Sequence, residues 1–433
     1  MTRLCFLVAT SLLWMANNLL AAEPLVLAEQ GDLQWRRGNL HTHSHWSDGD
    51  DYLESIALWY REHDYDFLVF TDHNVLADTE RWVPVDKTKG GRTAFDKLKK
   101  NFPDWVETRE VKGVLEVRLR RYNEVAARMN QPGEFLLIQG EEISDHFQRK
   151  PIHLCASNVV DQIDPQGGSS IVETIQNNVR ALVAQRQSTG QPMIIHVNHP
   201  NFGYAITAEE LMLIDDEPFF EVYNGHPTVY NKGNKLRAGT DKVWDIILAH
   251  RLKVLGLPIM YGLANDDGHA YHEMPSRASN PGRGWVQVLS AELTPAALIE
   301  ALEAGKFYAT SGVTLNRVEY RENGMAVEID PKEGETYTIE FIGTRRDTSL
   351  DSTPVIDDDG NEIHATRRYS DKVGEILATV EGTKAEYTYA GDELYVRARI
   401  TSSALHPNPS EPGDYQQAWV QPVLGPGAGA NTP

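Results

Sequence analysis

The stretch "RGNLHTHSHWSDGDD", residues 37–51, decides how the chain is read. It places His41, His43, His45, Asp48, Asp50 and Asp51 within eleven positions. Imidazole and carboxylate at that density suit a divalent ion better than a hydrophobic core, where each group would need its own hydrogen-bond partner. Alternate side chains on a strand share a face, so His41 and His43 can share one ion, and His45 can join them if the strand continues. The tripeptide alone is a weak signal. What gives it weight is where the other histidines and carboxylates fall.

Of the 15 histidines, only His364 and His406 lie in the last third of the chain, so the chemistry belongs to the first two-thirds. Between residues 38 and 312, short apolar runs alternate with helical patterns. "YLESIALWYREH" and "VWDIILAHRLK" read as helices, as does "TPAALIEALEAGK", capped by Thr294 with Pro295 in its first turn and closing at Gly305. "YDFLVFTDHN", "EFLLIQGEE", "PIHLCAS", "PMIIHVNHP", "FFEVYNG" and "LPIMYGLAND" read as buried strands. That alternation implies an α/β fold with a mostly parallel sheet covered by helices. Polar residues recur at the strand ends: Asp72 and His73, Glu141 and Glu142, His196 and His199, Asn224 and His226, and Asn265 to His269. In a barrel of this kind that rim carries the active site.

Residues 77–133 are less regular and read as an insertion over the rim. After residue 312 the pattern changes to short alternating strands, "RVEYREN", "YTIEFIGT", "ILATVEG", "AEYTYA", "ELYVRARITSS" and "QAWVQPVLG", separated by turn residues. This predicts a C-terminal antiparallel β-sandwich over 313–424, with 425–433 as a flexible tail.

The chain has 433 residues, 41% of them apolar, enough for two folded cores. Its 62 acidic against 41 basic residues give a net charge of -21, which argues against nucleic acid or an anionic membrane as the main partner. A metal cluster makes its own surroundings positive, so a small anionic substrate stays open. Residues 1–22, "MTRLCFLVATSLLWMANNLLAA", have a basic start, a short apolar run and small residues at the end, the layout of a secretory signal peptide. The expectation is therefore an exported protein, periplasmic or secreted, with residues 23–312 as the catalytic unit and no stable membrane span after signal cleavage. With Cys5 inside the signal, Cys155 would be the mature chain's only cysteine. On a strand it shares a face with His153, which leaves it either a small buried hydrophobe or a thiol close to metal.

The ordered motifs resemble the PHP family, the polymerase and histidinol phosphatase superfamily of metal-dependent hydrolases, and within it the exported CehA/McbA-like branch. The resemblance runs through "NLHTHSHWSDG", "FLVFTDHN", "GEEIS", "IHLCA", "NHP" and "NDDGH", and continues in "GRGWVQVLSAELTPAALIEALEAGKFYATSGV". It implies a distorted seven-stranded (β/α) barrel with two or three divalent ions, zinc, manganese or iron, in its mouth. By motif, His41, His43, Glu142 and Asp267 would bind the first ion. Glu142 would bridge to a second held by His153 and His199, and Asp48, His73 and His269 would hold a third. Adjacent strand residues face opposite ways, so Glu142 excludes Glu141 and Asp267 excludes Asp266.

No Gly-x-Ser-x-Gly turn is present, so metal-activated water is the expected nucleophile. Phosphoester hydrolysis, of a monoester or diester, is the leading reading. Carboxylic or carbamic ester hydrolysis at the same centre is an alternative, and a non-catalytic metal-dependent binding protein of the cell envelope is a second. Arg277 is the favoured phosphate-binding residue, with Arg149, Lys150 and Arg283 as further candidates. His226 and His272 are rim histidines able to protonate a leaving group, and Asp72 is expected to orient a ligand histidine.

Overall fold

A computed structural model describes residues 24–428. The expected signal segment, with Cys5, and residues 429–433 of the expected tail lie outside the described residues. Within the described residues the protein is mixed α/β, built on a 13-stranded sheet.

Seven strands of that sheet position the site. Gln34–Asn39, Phe67–Phe70 and Leu136–Phe147 run parallel as neighbours. Lys150–Ser157 then runs antiparallel to Leu136–Phe147 and to Ile194–Val197. Phe219–Asn224 and Tyr261–Asn265 complete the series in parallel. Helices Leu53–Glu62, Ile171–Thr189 and Thr240–His250 make the crossovers. The buried runs are apolar on both faces, as in Phe67–Phe70, because helices cover one side and the curled interior the other. The longest crossover helix starts at Ser170, whose side chain accepts from Glu173 N, and stops at Gly190, whose φ of 70° suits glycine.

The two ends of the series meet without a continuous ladder. Thr42 and Gly268 form a single parallel bridge, Leu40 N donates to Asn265 Oδ1 at 3.0 Å, and Asp266 N donates to Asn39 Oδ1 at 3.0 Å. Gln34–Asn39 gives its outer edge to Trp285–Ser290, and the sheet continues through Phe307–Thr310 into the C-terminal strands.

Those strands, Tyr415–Leu424, Glu393–Leu405, Tyr337–Arg345 and Glu375–Glu381, are one layer. The second is a four-stranded sheet in which Leu25–Ala28 joins Leu315–Arg321, Gly324–Ile329 and Lys384–Thr388. Leu27, Val318, Met325 and Val327 meet Ile339, Phe341, Val396 and Val420 between them. The first residues of the expected tail are tied down: Pro426–Ala428 form a short 3-10 turn, and Gly425 N donates to Leu394 O. A buried pair joins the C-terminal strands to the N-terminal half, since Arg397 Nε and Nη2 each lie 2.8 Å from the Asp245 carboxylate on Thr240–His250.

Residues 77–133 form a subdomain with a three-stranded antiparallel sheet, Arg81–Pro84, Val114–Leu119 and Thr108–Val111, and helices Gly91–Asn101 and Tyr122–Met129. It packs on the opening loop: Trp46 Nε1 donates to Arg120 O at 3.1 Å, and Lys97 Nζ lies 2.5 Å from Asp51 Oδ2. Among the described residues no helix is long and apolar enough to cross a membrane.

Candidate metal centre

Every one of the seven strands delivers a residue to one cluster. The loop after Gln34–Asn39 carries His41, His43 and Asp48, and Phe67–Phe70 leads to Asp72 and His73. Leu136–Phe147 carries Glu142, Lys150–Ser157 carries His153, and Ile194–Val197 leads to His199. Phe219–Asn224 contributes Glu221, and Tyr261–Asn265 leads to Asp267 and His269. The adjacent acids face different partners: Glu141 and Glu142 alternate along Leu136–Phe147, while Asp266 and Asp267 follow the end of Tyr261–Asn265 and part at the left-handed backbone of Asp267. Glu141 turns away and accepts from Ile163 N at 2.6 Å, and Asp266 accepts from Tyr60 OH and Gly284 N, both at 2.9 Å. Asn74 and Asp267 take left-handed backbone, φ 49° and 50°, which Asn and Asp tolerate best among residues with a side chain.

Glu142 is the hub. Its Oε1 lies 3.4 Å from His41 Nε2, 3.1 Å from His153 Nδ1 and 3.5 Å from His199 Nε2. Its Oε2 lies 3.3 Å from His43 Nε2 and 2.8 Å from His73 Nδ1. Asp267 Oδ1 stands 3.3 Å from His41 Nε2 and 3.2 Å from His43 Nε2. On the outer side, Asp48 Oδ1 is 3.1 Å from His269 Nε2 and 3.6 Å from His73 Nε2. All nine residues expected as ligands fall into groups whose donor atoms are close enough to hold an ion. The groups overlap more than the motifs imply: His73 stands with Glu142 and His153 as well as with Asp48, His43 and His269, and His199 stands with His41 and Glu142.

The donor chemistry fits divalent ions. Bonds of about 2.1 Å at tetrahedral angles put neighbouring ligand atoms about 3.4 Å apart, the spacing found at Glu142 and Asp267. His41 Nε2, His43 Nε2, Glu142 Oε2, His153 Nδ1 and Asp48 Oδ1 are all buried without a hydrogen-bond partner. A core rarely leaves that many polar atoms orphaned in one place. Electrostatics describe the same focus. Burial alone would raise the Glu142 carboxyl, yet His73, His41 and His153 hold it well below the usual range. Against its own burial, His41 is raised by Asp267, Cys155, Glu221 and Glu142, while burial and the neighbouring His269 and His73 push His43 down to about 3.

Glu221 is the functional residue that the motifs miss. Buried completely, it lies 2.8 Å from His41 Nδ1 and accepts from His199 N at 2.8 Å, Asn224 Nδ2 at 2.7 Å and Asn265 Nδ2 at 2.9 Å. Its carboxylate holds the Nδ1–H side of His41, which would leave Nε2 to offer its lone pair to an ion. Its only sequence signal is a lone acid inside the apolar run "FFEVYNG".

Several other expectations change. Asp72 contacts no ligand histidine; it accepts from Ser44 N (2.8 Å), Ser44 Oγ (2.6 Å), Ser47 N (3.0 Å) and Ser47 Oγ (2.6 Å), and so pins the loop. It reaches His43 only through Ser47, whose Oγ is 3.5 Å from His43 Nδ1. The opening strand stops at Asn39, and His45 turns away, its Nδ1 on Gly49 O at 3.0 Å. His272 Nε2 is tied to Asp50 O at 2.9 Å. Arg283 is fully buried and bonds to Gly225 O, Ser276 O and Asn408, so it cannot reach a substrate. Lys150 meets His364 at 2.7 Å, and Arg149 and Arg277 are exposed.

His226 does stand at the cluster, its ring 5.5 Å from that of His269. Two further residues at the rim had no sequence motif. Lys89, from the insertion, places Nζ 3.0 Å from Asp48 Oδ2. Phe202 lies 5.2 Å from the His199 ring and 6.2 Å from that of His153.

No family model and no curated protein matches the sequence. Among solved structures, the chain is similar to a two-domain protein from Bacteroides vulgatus containing a predicted PHP-like metal-dependent phosphoesterase, at 12% identity and a TM-score of 0.40, covering 91% of this chain and 97% of that one. It is also similar to an amidohydrolase from Chromobacterium violaceum with bound sulfate and no metal, at 14% identity and a TM-score of 0.25, covering 54% of this chain and 87% of that one.

Proposed function

We propose that the protein is a metal-dependent hydrolase acting on a small anionic phosphoester, and that its curled seven-strand unit is a distorted barrel of the PHP type. The observation that supports this most is the set of buried, unpartnered donor atoms around Glu142 and Asp267. His41, His43, Asp267 and Glu142 would hold one ion; Glu142, His153 and His199 would hold a second; Asp48, His73 and His269 would hold a third. Two or three bound divalent ions, zinc, manganese or iron, would supply water of lowered pKa and neutralise charge on the ester oxygens.

The chain's own residues do the rest. Glu221 keeps the His41 lone pair turned inward. His226 Nδ1 accepts from Thr228 N at 3.2 Å, which leaves the proton of the neutral ring on Nε2. That places a proton donor at the rim for a leaving-group oxygen. Lys89 brings a cation beside Asp48, where a phosphate would need charge beyond the ions. One feature favours a carboxylic or carbamic ester instead: Phe202 gives the His153 and His199 side an apolar wall suited to an aryl group. We also propose that residues 1–22 direct export, which the N-terminal sequence of the mature protein tests.

The functional test is parallel assay of the zinc- and manganese-loaded protein on chromogenic phosphomonoester, phosphodiester and carboxylic ester substrates, each with a chelator control. Chelator-sensitive turnover of a phosphoester is expected. Turnover confined to the carboxylic ester would move the assignment to that bond, and silence on all three by fully loaded protein would replace it with metal-dependent binding.

A further inference from the structure

Two donors beside the main cluster, Cys155 and His196, are used by neither the motifs nor the proposed reaction. Glu142, Cys155 and His196 stand opposite one another across three antiparallel strands, in the registers Glu142 with Cys155 and Cys155 with His196. Residues paired in this way project from the same face of the sheet. Cys155 Sγ, a ring nitrogen of His196 and one of His41 lie within 4.8 Å of one another. All three residues are 0–1% exposed. His196 Nδ1 is buried with no hydrogen-bond partner, and so is His41 Nε2, which also faces Glu142 at 3.4 Å and Asp267 at 3.3 Å. Asn198 ties it to the hub: its Nδ2 is 2.7 Å from Glu142 Oε1 and 3.1 Å from Cys155 Sγ.

We propose that His41, Cys155 and His196 form a second metal site, selective for a thiophilic ion of the zinc or cadmium class, whose occupation is exclusive with His41 ligation at the main centre. The selectivity follows from ligand type, since a thiolate with two imidazoles favours soft and borderline ions over manganese. The exclusivity follows from geometry. His41 Nδ1 is committed to Glu221 at 2.8 Å, so Nε2 is its only free lone pair and can serve one ion at a time. Binding replaces the sulfur–hydrogen bond of Cys155 with a sulfur–metal bond, and the proton leaves to solvent. A thiophilic ion in this pocket therefore draws His41 away from the hydrolytic centre and acts as an inhibitor built into the donor set. The inference rests on the placement of donors and not on which ester bond is cleaved.

The test reads metal coordination directly. The full chain, stripped with chelator and titrated with cobalt(II), is expected to develop a near-ultraviolet thiolate-to-cobalt absorption, lost in Cys155→Ser while the visible cobalt bands of the main centre remain. Cadmium added to the manganese-loaded protein is expected to displace manganese from the unsubstituted chain and to leave it bound in Cys155→Ser. Far-ultraviolet circular dichroism checks the fold, and Cys155→Ala replaces the serine variant should that fail. Visible cobalt bands without the thiolate absorption would overturn the site. So would a thiolate absorption that persists in the variant, which would assign it to Cys5. Equal displacement of manganese from both chains would overturn the exclusivity. None of these readouts requires turnover, so failure here is distinct from failure of the proposed reaction.

Discussion

Replacing Glu221 with Gln changes one atom type in the layer behind the centre. Four donors bond Glu221, His41 Nδ1–H and Asn265 Nδ2 on Oε1 and the amide of His199 and Asn224 Nδ2 on Oε2, and His196 Nε2 stands 3.6 Å from Oε1. A carboxylate accepts from all of them, whereas an amide keeps one accepting oxygen and turns an NH2 group toward the other two. A buried donor left facing a donor costs about 1–3 kcal/mol. Of the four bonded donors His41 has a tautomer that relieves the clash, with its proton moved from Nδ1 to Nε2. That restores a hydrogen bond behind the ring and removes the lone pair in front of it. Loss of such a partner typically weakens metal binding about 10- to 100-fold, or about 1.4–2.7 kcal/mol. The expected result is a folded Glu221→Gln protein with zinc or manganese affinity lowered by that factor, measured by equilibrium dialysis against chelator-buffered metal. A folded variant that binds metal as tightly as the unsubstituted chain would refute the claim that Glu221 holds the Nδ1–H side of His41.

Glu142→Gln removes the carboxylate that five histidines share and should lower the bound metal per chain, with activity down about 100-fold; unchanged metal content and turnover would exclude a bridging role. Lys89→Met should raise KM for a phosphomonoester about tenfold, as for loss of a charged hydrogen bond, and leave a neutral ester unaffected. The same comparison for Arg277→Ala should give a smaller effect, because only Lys89 is tied to the cluster through Asp48. Burial raises Glu54 to about 7, so the folded state keeps a proton that the unfolded chain releases near pH 4.5. Stability should therefore fall between about pH 4.5 and 7 by up to about 3 kcal/mol and then level off, and Glu54→Gln should flatten that part of a urea-denaturation pH series. Asp245→Ala leaves Arg397 buried with only Asp241, at 3.0 Å, and should cost about 3–5 kcal/mol in chemical denaturation; a loss near zero would show that the pair does not couple the two halves.

How much was legible follows from which physical signals are local. Strand periodicity and turn residues found the six buried runs and most of the C-terminal strands, because alternation and apolar runs are written into adjacent residues. His41, His43, Glu142 and Asp267 were singled out because the ordered motifs resemble those of the PHP family, and the structure brings these residues together. Glu221 was not, since a buried acid behind a ligand differs from a buried acid anywhere only through its neighbours, which come from residues 41, 199, 224 and 265. Lys89 was hidden for a similar reason: whether an insertion lysine points at solvent or at Asp48 depends on how the insertion docks. Arg283 looked like a rim cation in "PGRGW" and proved to be a buried tie between loops, a role set by Asn408, 125 positions away. The membership of Leu25–Ala28 in the C-terminal sheet is likewise a long-range pairing, with Leu25 opposite Tyr320.

The sheet that supports the centre also explains why the C-terminal strands accompany it. A curled series whose ends meet through one bridge leaves the outer edge of Gln34–Asn39 unpaired, directly behind the loop that carries His41, His43 and Asp48. An open edge there would allow that strand to slip, and a one-residue slip turns every side chain to the opposite face. Trp285–Ser290 closes the edge in register from Gly38 to Gln34. It is backed in turn by Phe307–Thr310 and Tyr415–Leu424. On the opposite flank, Gln421 Nε2 donates to Gly262 O at 2.8 Å and Gly262 N donates to Gln421 Oε1 at 3.0 Å, bracing the strand that leads to Asp267. Both strands whose ends must meet for His43 and Asp267 to lie 3.2 Å apart are thus held by the C-terminal layer. On this argument that layer is part of the metal centre's support, and its removal should lower metal affinity before any substrate is involved.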